Sequence, residues 1–222
     1  ETAIEFKKNG INPIVLDSRK ELNSDLITEA KNLGIDIKFE HVVVNANGYR
    51  KVKSADIAKI SEDKTNLGKI ENIACDCICV SGFWTPTIHL ASQSGGKTKF
   101  NEDIDAFVPS QSKQNETTLG SANGIFNLND TLKNSFEAGY ELSKKITSKE
   151  NKLSVPAVVE KKNSKHDKFW CVPLPKGKKY KRFLDFQNDV AVSDIELALR
   201  EGYRSIEHVK RYTTLGLSLI HI

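Results

Sequence analysis

An α/β fold built on parallel strands is what the sequence predicts, and three observations predict it. Residues 73–80 are nearly all small or apolar, bounded by Asn72 on one side and by Ser81 and Gly82 on the other, as a buried central strand reads. Residues 11–16 form a second short apolar run that ends in Asp17, Ser18 and Arg19. Leu22, Leu26, Ile27, Ala30 and Leu33 then recur at helical spacing and are closed by Gly34, the stripe of a helix lying on a sheet. Helix, strand and an acid at the strand's carboxyl end is the second half of a mononucleotide-binding unit.

Taken in order, residues 2–8 read as the last turns of a helix that Asn9 and Gly10 stop. After the strand and the striped helix, residues 35–39 alternate, and an apolar run over 41–44 leads into a turn at Asn45, Ala46, Asn47 and Gly48. The stretch to Ile60, with residues 69–72, reads as a β-meander before the central strand. His41, between Glu40 and Val42, is taken as structural.

The stretch from Cys75 to Phe100 organises the chain, because it carries the central strand into the Ser81-Gly82 turn and then into a Gly95-Gly96-Lys97 loop. A glycine at the end of such a strand lets backbone approach a ligand, which makes Ser81 and Gly82 candidate cofactor contacts; the alternative is a simple tight turn. Residues 107–109 are extended and 111–118 are polar surface. Gly120, Ser121, Ala122, Asn123 and Gly124 precede a helix over about 129–146 that packs through Leu132, Phe136, Gly139, Tyr140 and Leu142. Small residues before a helix let the backbone donate to a phosphate, so Gly120, Asn123 and Gly124 are candidate contacts, with a plain cap as the alternative.

Residues 147–155 and 160–168 read as a linker, residues 169–173 re-enter structure, and 175–182 form a basic loop. Ser193 with Glu196 predicts a capping box opening a helix that Gly202 stops, and Ser205 caps a second helix toward Tyr212. Two such helices could form a helix-turn-helix, but Arg200, Arg204 and Lys210 alternate with Glu196, Glu201 and Glu207, the pattern of a solvated face.

The formal net charge of +4 over 222 residues is modest and the basic residues are spread out except around residues 161–182, a local excess that does not make a nucleic-acid binder. No apolar run is long enough to cross a bilayer and no signal peptide stands at the start, so a cytoplasmic protein is expected. The four cysteines, at 75, 77, 79 and 171, predict small buried hydrophobes in a reducing compartment, with a metal site or a disulfide as the alternative; a flat row on one strand gives poor tetrahedral geometry. Methionine is absent even from position 1, so the chain is expected to be an internal piece of a longer protein. Residues 217–222 have the sequence that one frame of a transposon-based sequencing adapter translates to, and are expected to be read-through.

Asp17 is the sharpest candidate. In a mononucleotide-binding unit that acid accepts the adenosine ribose hydroxyls and repels the phosphate that distinguishes NADP, which argues for NAD. Arg19 beside it could accommodate that phosphate instead, and Asp17 could also merely open the next turn.

Two long stretches resemble one family. Cys75-Asp76-Cys77-Ile78-Cys79-Val80-Ser81-Gly82-Phe83-Trp84-Thr85-Pro86-Thr87-Ile88-His89-Leu90, followed by Ser92-Gln93-Ser94-Gly95-Gly96-Lys97, is similar to the nucleotide-domain signature of the alpha subunit of heterotetrameric sarcosine oxidase. So is Phe183-Leu184-Asp185-Phe186-Gln187-Asn188-Asp189-Val190, with the stretch from Glu201 through Tyr203, His208 and Tyr212 to Gly216. The resemblance departs at Phe83, where the family has glycine.

The resemblance implies an oxidoreductase acting on CH–NH donors. It would demethylate sarcosine oxidatively, pass the one-carbon unit to tetrahydrofolate and release hydrogen peroxide. It implies NAD held by alpha, FMN at the interface with beta, FAD in beta, tetrahydrofolate in a domain beyond this chain, and beta, gamma and delta partner subunits. On this family's pattern the fold is a partial pair of nested, Rossmann-like dinucleotide-binding domains of the pyridine-nucleotide disulfide oxidoreductase type, with a small C-terminal helical segment.

Residues 1–95 would then be part of an NAD-binding-type subdomain and 96–147 a return segment of the outer dinucleotide-binding domain. Residues 148–182 would be linker and extended segment, 183–216 a small helical domain, and 217–222 the read-through. Asp17, with Ser18 and Arg19, falls on the ribose-binding acid, Ser81 and Gly82 on the second glycine turn, and Gly120 to Gly124 on the segment closing over the outer dinucleotide. The helical segment is similar to cysteine-ligated iron-sulfur domains of related amine dehydrogenases, but Asp185 and Gln187 stand at the Cys-x-Cys positions and supply no thiolate, so no cluster is expected. No residue of this chain is expected to be catalytic. Two alternatives stand beside this reading: a related amine or proline dehydrogenase subunit, and a non-catalytic nucleotide-binding or DNA-binding regulator.

Overall fold

A computed structural model describes residues 1–21, 23–82, 84–147, 169–178 and 180–216. The chain forms two units, Glu1–Cys79 with Phe169–Ile222, and Val80–Lys168. Leu22, Phe83 and Lys179, most of the expected linker at 148–168, and residues 217–222 lie outside the described residues.

The first unit opens with α1 (Thr2–Lys8), β1 (Ile14–Asp17), α2 (Asp25–Asn32) and β2 (Asp36–Phe39). β1 and β2 pair in parallel, Ile14 opposite Asp36 and Asp17 opposite Phe39, so α2 is the crossover of a β-α-β unit. The expected helix and strand are both there. β1 begins at Ile14 because Pro13 lacks an N–H to give to a ladder. α2 begins at Asp25 because Ser24 caps it, its Oγ accepting the N–H of Ile27 at 3.3 Å. Ile4 of α1, Ala30 of α2 and Ile35 form a buried cluster against which Val15, Leu26, Leu33 and Ile37 pack, and this fastens both helices to the parallel pair.

Glu40, at φ 56, is a one-residue corner. Its N–H donates to the Arg19 carbonyl at 3.0 Å and its own carbonyl accepts the Ile60 N–H at 2.7 Å, tying the end of β1 to the next sheet. That sheet is the expected meander: β3 (His41–Gly48), β4 (Val52–Ile60) and β5 (Leu67–Ala74), antiparallel in that order. Ala55 and Ile57 are buried on one side of β4, while Ser54 and Asp56 point the other way. The turn expected at residues 45–48 is instead strand, and the reversal falls at residues 49–51. The asparagines stay in the ladder because Asp56, directly across from Asn45, takes up their polar groups, with Asn47 Nδ2 at 2.8 Å.

The parallel strand expected at residues 73–80 is overturned. Only Ile73 and Ala74 pair, as the antiparallel end of β5, and the Cys75 N–H adds one bond to the Lys53 carbonyl at 3.1 Å. β4 starts at Val52, so beyond that point β5 has no ladder partner and the chain leaves the sheet, with Val80 87% exposed. A run of apolar residues becomes a strand only where a neighbour receives its hydrogen bonds.

The second unit holds α3 (His89–Gln93), the antiparallel hairpin β6 (Lys97–Asn101) and β7 (Ala106–Gln111), a 3-10 turn at Gly120–Asn123, and α4 (Leu128–Thr147). Ile104, Ala106 and Val108 are its buried cluster, with Phe126 packed against them. Asn127 opens α4, its Oδ1 accepting the Asp130 N–H at 3.0 Å. The helix spans the expected residues, but none of them is buried, and Phe136 and Leu142 of the expected packing side are exposed.

The first unit closes with the hairpin β8 (Phe183–Asp185) and β9 (Val190–Ala191), then α5 (Val192–Arg200) and α6 (Ile206–Thr213). Both helices were expected; the cap of the first differs. Ala191, not Ser193, is the N-cap residue, and Asp194 rather than Glu196 reaches back, its carboxylate accepting the Ala191 N–H at 2.8 Å. The N3 carboxylate is the one that can bend onto the cap, which leaves Glu196 to pair with Arg182 at 3.3 Å. Ser205 stands at the N-cap of α6 without a side-chain cap bond. Val190, Ala191, Ala198 and Val209 are buried, and the Tyr203 and Tyr212 rings lie 4.7 Å apart.

Candidate functional site

The carboxyl end of β1 gathers the first three candidate residues. Asp17 ends the strand, Ser18 follows half-buried, and Arg19 folds back onto Asp17. Its Nη2 lies 2.7 Å from Asp17 Oδ2, its Nε 2.9 Å from Oδ1, and its backbone N–H also donates to Oδ1 at 2.9 Å. The Asp17 side chain is 19% exposed and that of Arg19 37%. Burial pushes the Asp17 carboxyl up, but the hydrogen bonds from the Arg19 side chain and backbone, together with its charge, outweigh this and leave it below the ordinary carboxylate value. Asp17 is therefore an anion at neutral pH, held in one orientation at the end of a parallel strand.

The remaining candidates lie in the second unit. Ser81 and Gly82 are exposed and outside regular structure, and a Cβ added at Gly82 would meet nothing within 4 Å. Gly120 and Asn123 bound the 3-10 turn, and Gly124 follows it at φ +78. A Cβ on Gly124 would stand 2.7 Å from Ile104 Cδ1 and 3.0 Å from Val108 Cγ1. The left-handed backbone, with these methyl groups crowding the same spot, favours glycine there apart from any ligand, a reason the sequence did not disclose. His41 Nδ1 is 2.7 Å from the Phe39 carbonyl, in keeping with a structural role.

The cysteines differ from the expectation. Cys77 and Cys79 are exposed and Cys75 is half-buried, because the segment that carries them has left the sheet. Cys171 is also exposed and receives a hydrogen bond from Arg182 Nη1 at 3.1 Å. Among the described residues no three His, Cys, Asp or Glu side chains come together as a metal site. Asp185 is occupied by its own loop: its carboxylate accepts the N–H groups of Gln187 at 2.8 Å and of Gly216 at 2.9 Å, and Asn188 Nδ2 at 2.8 Å.

Residues 179–219 match the sarcosine oxidase A3 domain. Over most of its length the chain aligns with the sarcosine oxidase alpha subunit of Corynebacterium sp. (strain U-96), at 30% identity across 216 residues. The chain resembles the alpha subunit of sarcosine oxidase. The Corynebacterium alignment takes in 91% of this chain and 21% of the relative. The sarcosine oxidase alpha subunit of Rhizobium meliloti (strain 1021) is likewise 30% identical, over 222 residues, 97% of this chain and 21% of that relative. The chain therefore spans about a fifth of the length of these curated relatives. Among solved structures, L-proline dehydrogenase from P. horikoshii superposes with a TM-score of 0.46 at 18% identity, covering 91% of this chain and 40% of that chain. Among the described residues no helix is long and apolar enough to cross a membrane.

Proposed function

We propose that this chain is the dinucleotide-binding part of the alpha subunit of a sarcosine-oxidase-like flavoenzyme. The observation that carries the reading is α1 running into β1, with Asp17 fixed at the carboxyl end of that strand and β2 paired parallel beside it, because the second strand of such a unit is the one whose end meets the adenosine ribose. The similarity to sarcosine oxidase alpha subunits supports it.

Asp17 fits that task in charge and position. Both of its oxygens accept bonds from Arg19, so ribose hydroxyls gain it only as Arg19 swings off one edge, a rotation open to a partly exposed side chain. Ser18 adds a hydroxyl beside it. Ser81 and Gly82 are proposed as cofactor contacts at the second glycine turn, and Gly120, Asn123 and Gly124 as contacts on the segment closing over the outer dinucleotide. Residues 1–95 make up the NAD-binding-type, Rossmann-like part and 96–147 the return of the outer domain, followed by the connecting segment 148–182 and the helical domain 183–216. In that last domain Asp185 and Gln187 take the place of thiolate ligands, and Asp185 is spent on the loop it closes.

The assembled enzyme would be cytoplasmic and hold NAD, FAD and FMN, with beta, gamma and delta subunits and a tetrahydrofolate domain beyond this chain. Its flavin would supply the electron acceptor for oxidation of sarcosine to glycine, with one-carbon transfer and hydrogen peroxide release. This chain binds and orients; it contributes no reacting group. The test is sarcosine-dependent hydrogen peroxide release by the purified whole enzyme. Turnover of proline or another secondary amine with none of sarcosine would move the chain to the amine dehydrogenases.

A further inference from the structure

Three cysteines follow one another at alternate positions just past the end of β5, and their surroundings differ. Cys75 is anchored, its N–H on the Lys53 carbonyl at 3.1 Å, and is half-buried. Cys77 and Cys79 lie beyond the last ladder bond, both exposed, with their Sγ atoms 3.8 Å apart. Cys171 has its sulfur against Arg182.

We propose that Cys77 and Cys79 form a redox-active dithiol that closes to an intrachain disulfide by exchange with a small disulfide such as oxidised glutathione. Two residues apart in extended chain puts the Cα atoms roughly 6.8 Å apart, the upper edge of what a disulfide spans, and the sulfurs must close to about 2.05 Å. A bend at Ile78 provides that closure. Residues 75–80 belong to no sheet, so the bend breaks no ladder bond.

In the exchange, one cysteine thiolate attacks a sulfur of the small disulfide, forms a mixed disulfide and expels one thiolate. The second cysteine thiolate then attacks the protein-bound sulfur, forms the Cys77–Cys79 bond and expels the other. Two cysteine thiols are oxidised, one small disulfide is reduced to two thiols, and the two cysteine protons end on those thiols. The hydrogen bond with Cys79, and then its charge, push the Cys77 thiol above its ordinary value, so exchange quickens as the pH rises.

The test uses the purified whole protein, reduced and then treated with oxidised glutathione, followed by peptide mass spectrometry. The peptide holding Cys77 and Cys79 is expected to lose about 2 Da, the mass of two hydrogens. Cys77→Ser and Cys79→Ser should each stop at one stable glutathione adduct, whereas Cys75→Ser and Cys171→Ser should keep the mass loss. Phenylarsine oxide, which needs two thiols within reach, should bind one per chain and bind neither of the first two variants. A disulfide that survives Cys77→Ser, or a peptide left unchanged by both reagents, would overturn the proposal. None of these readouts depends on the flavoenzyme assignment.

Discussion

Arg19 holds the Asp17 carboxylate by its Nε, an Nη and its own backbone N–H, with Nη2 at 2.7 Å and the backbone N–H at 2.9 Å. The acid that would meet a ribose is thus already partnered, and the partner is a cation that could itself receive a phosphate. Removing the guanidinium should free the carboxylate for ribose and take away the cation. For Arg19→Ala we expect NAD affinity to rise about threefold to tenfold and NADP affinity to fall, a charge-assisted hydrogen bond being the unit gained or lost. Calorimetric titration of both nucleotides against the whole protein measures this; an unchanged ratio would remove Arg19 from the choice.

Asp185 makes stability depend on pH. Its bonds with Asn188, Gly216 and Gln187 lower the carboxyl from the ordinary 3.8 to about 2. A carboxylate lowered in the folded state contributes stability that is full above its unfolded value and is lost as pH falls through the folded one. The loss should therefore run from about pH 4 down to about pH 2, and Asp185→Asn should flatten it. Thermal unfolding of wild type and variant across that window provides the comparison; parallel curves would mean that Asp185 does not bind the Gly216 end of the chain in solution.

Gly124 and Gly82 separate packing from ligand contact. At Gly124 the left-handed backbone and the Ile104 and Val108 methyl groups both oppose a side chain, so Gly124→Ala should cost about 2 kcal/mol or more. At Gly82 a Cβ meets nothing, so Gly82→Ala should change stability by no more than about 0.5 kcal/mol. Denaturant unfolding tests both. A loss of bound nucleotide in Gly82→Ala without a loss of stability would mark Gly82 as a ligand contact.

Glu40 carries left-handed strain at the corner between β2 and β3, offset only in part by a partly exposed pairing with Lys59 at 3.1 Å. Glu40→Gly should be neutral or stabilise by up to about 1 kcal/mol, the usual cost of a non-glycine residue there. Glu40→Pro should destabilise strongly, since the Glu40 N–H donates to the Arg19 carbonyl. The same unfolding measurement decides; a destabilised glycine variant would show that the corner needs the carboxylate.

The elements with local signals were legible in the sequence. The stripe of Leu26, Ala30 and Leu33 with Gly34 behind it gave α2, and the short apolar run ending in Asp17 gave β1, because periodicity and stop signals act within a few residues. Residues 73–80 were misread for the opposite reason: whether Cys77 and Cys79 join a sheet depends on where β4 begins, a fact set by a hairpin over 20 residues upstream. The turn expected at Asn45 failed in the same way, since Asp56 on the next strand accepts from the asparagines there. At the candidate site Asp17 stood out by its place after the strand, but its capture by Arg19 depends on a side-chain fold that spacing does not encode.

Asp17 is proposed to hold NAD. The most direct test is the NAD and flavin content of the purified whole enzyme carrying Asp17→Ala beside wild type. Bound NAD is expected to be lost while flavin content stays unchanged. Undiminished NAD in the variant would contradict it.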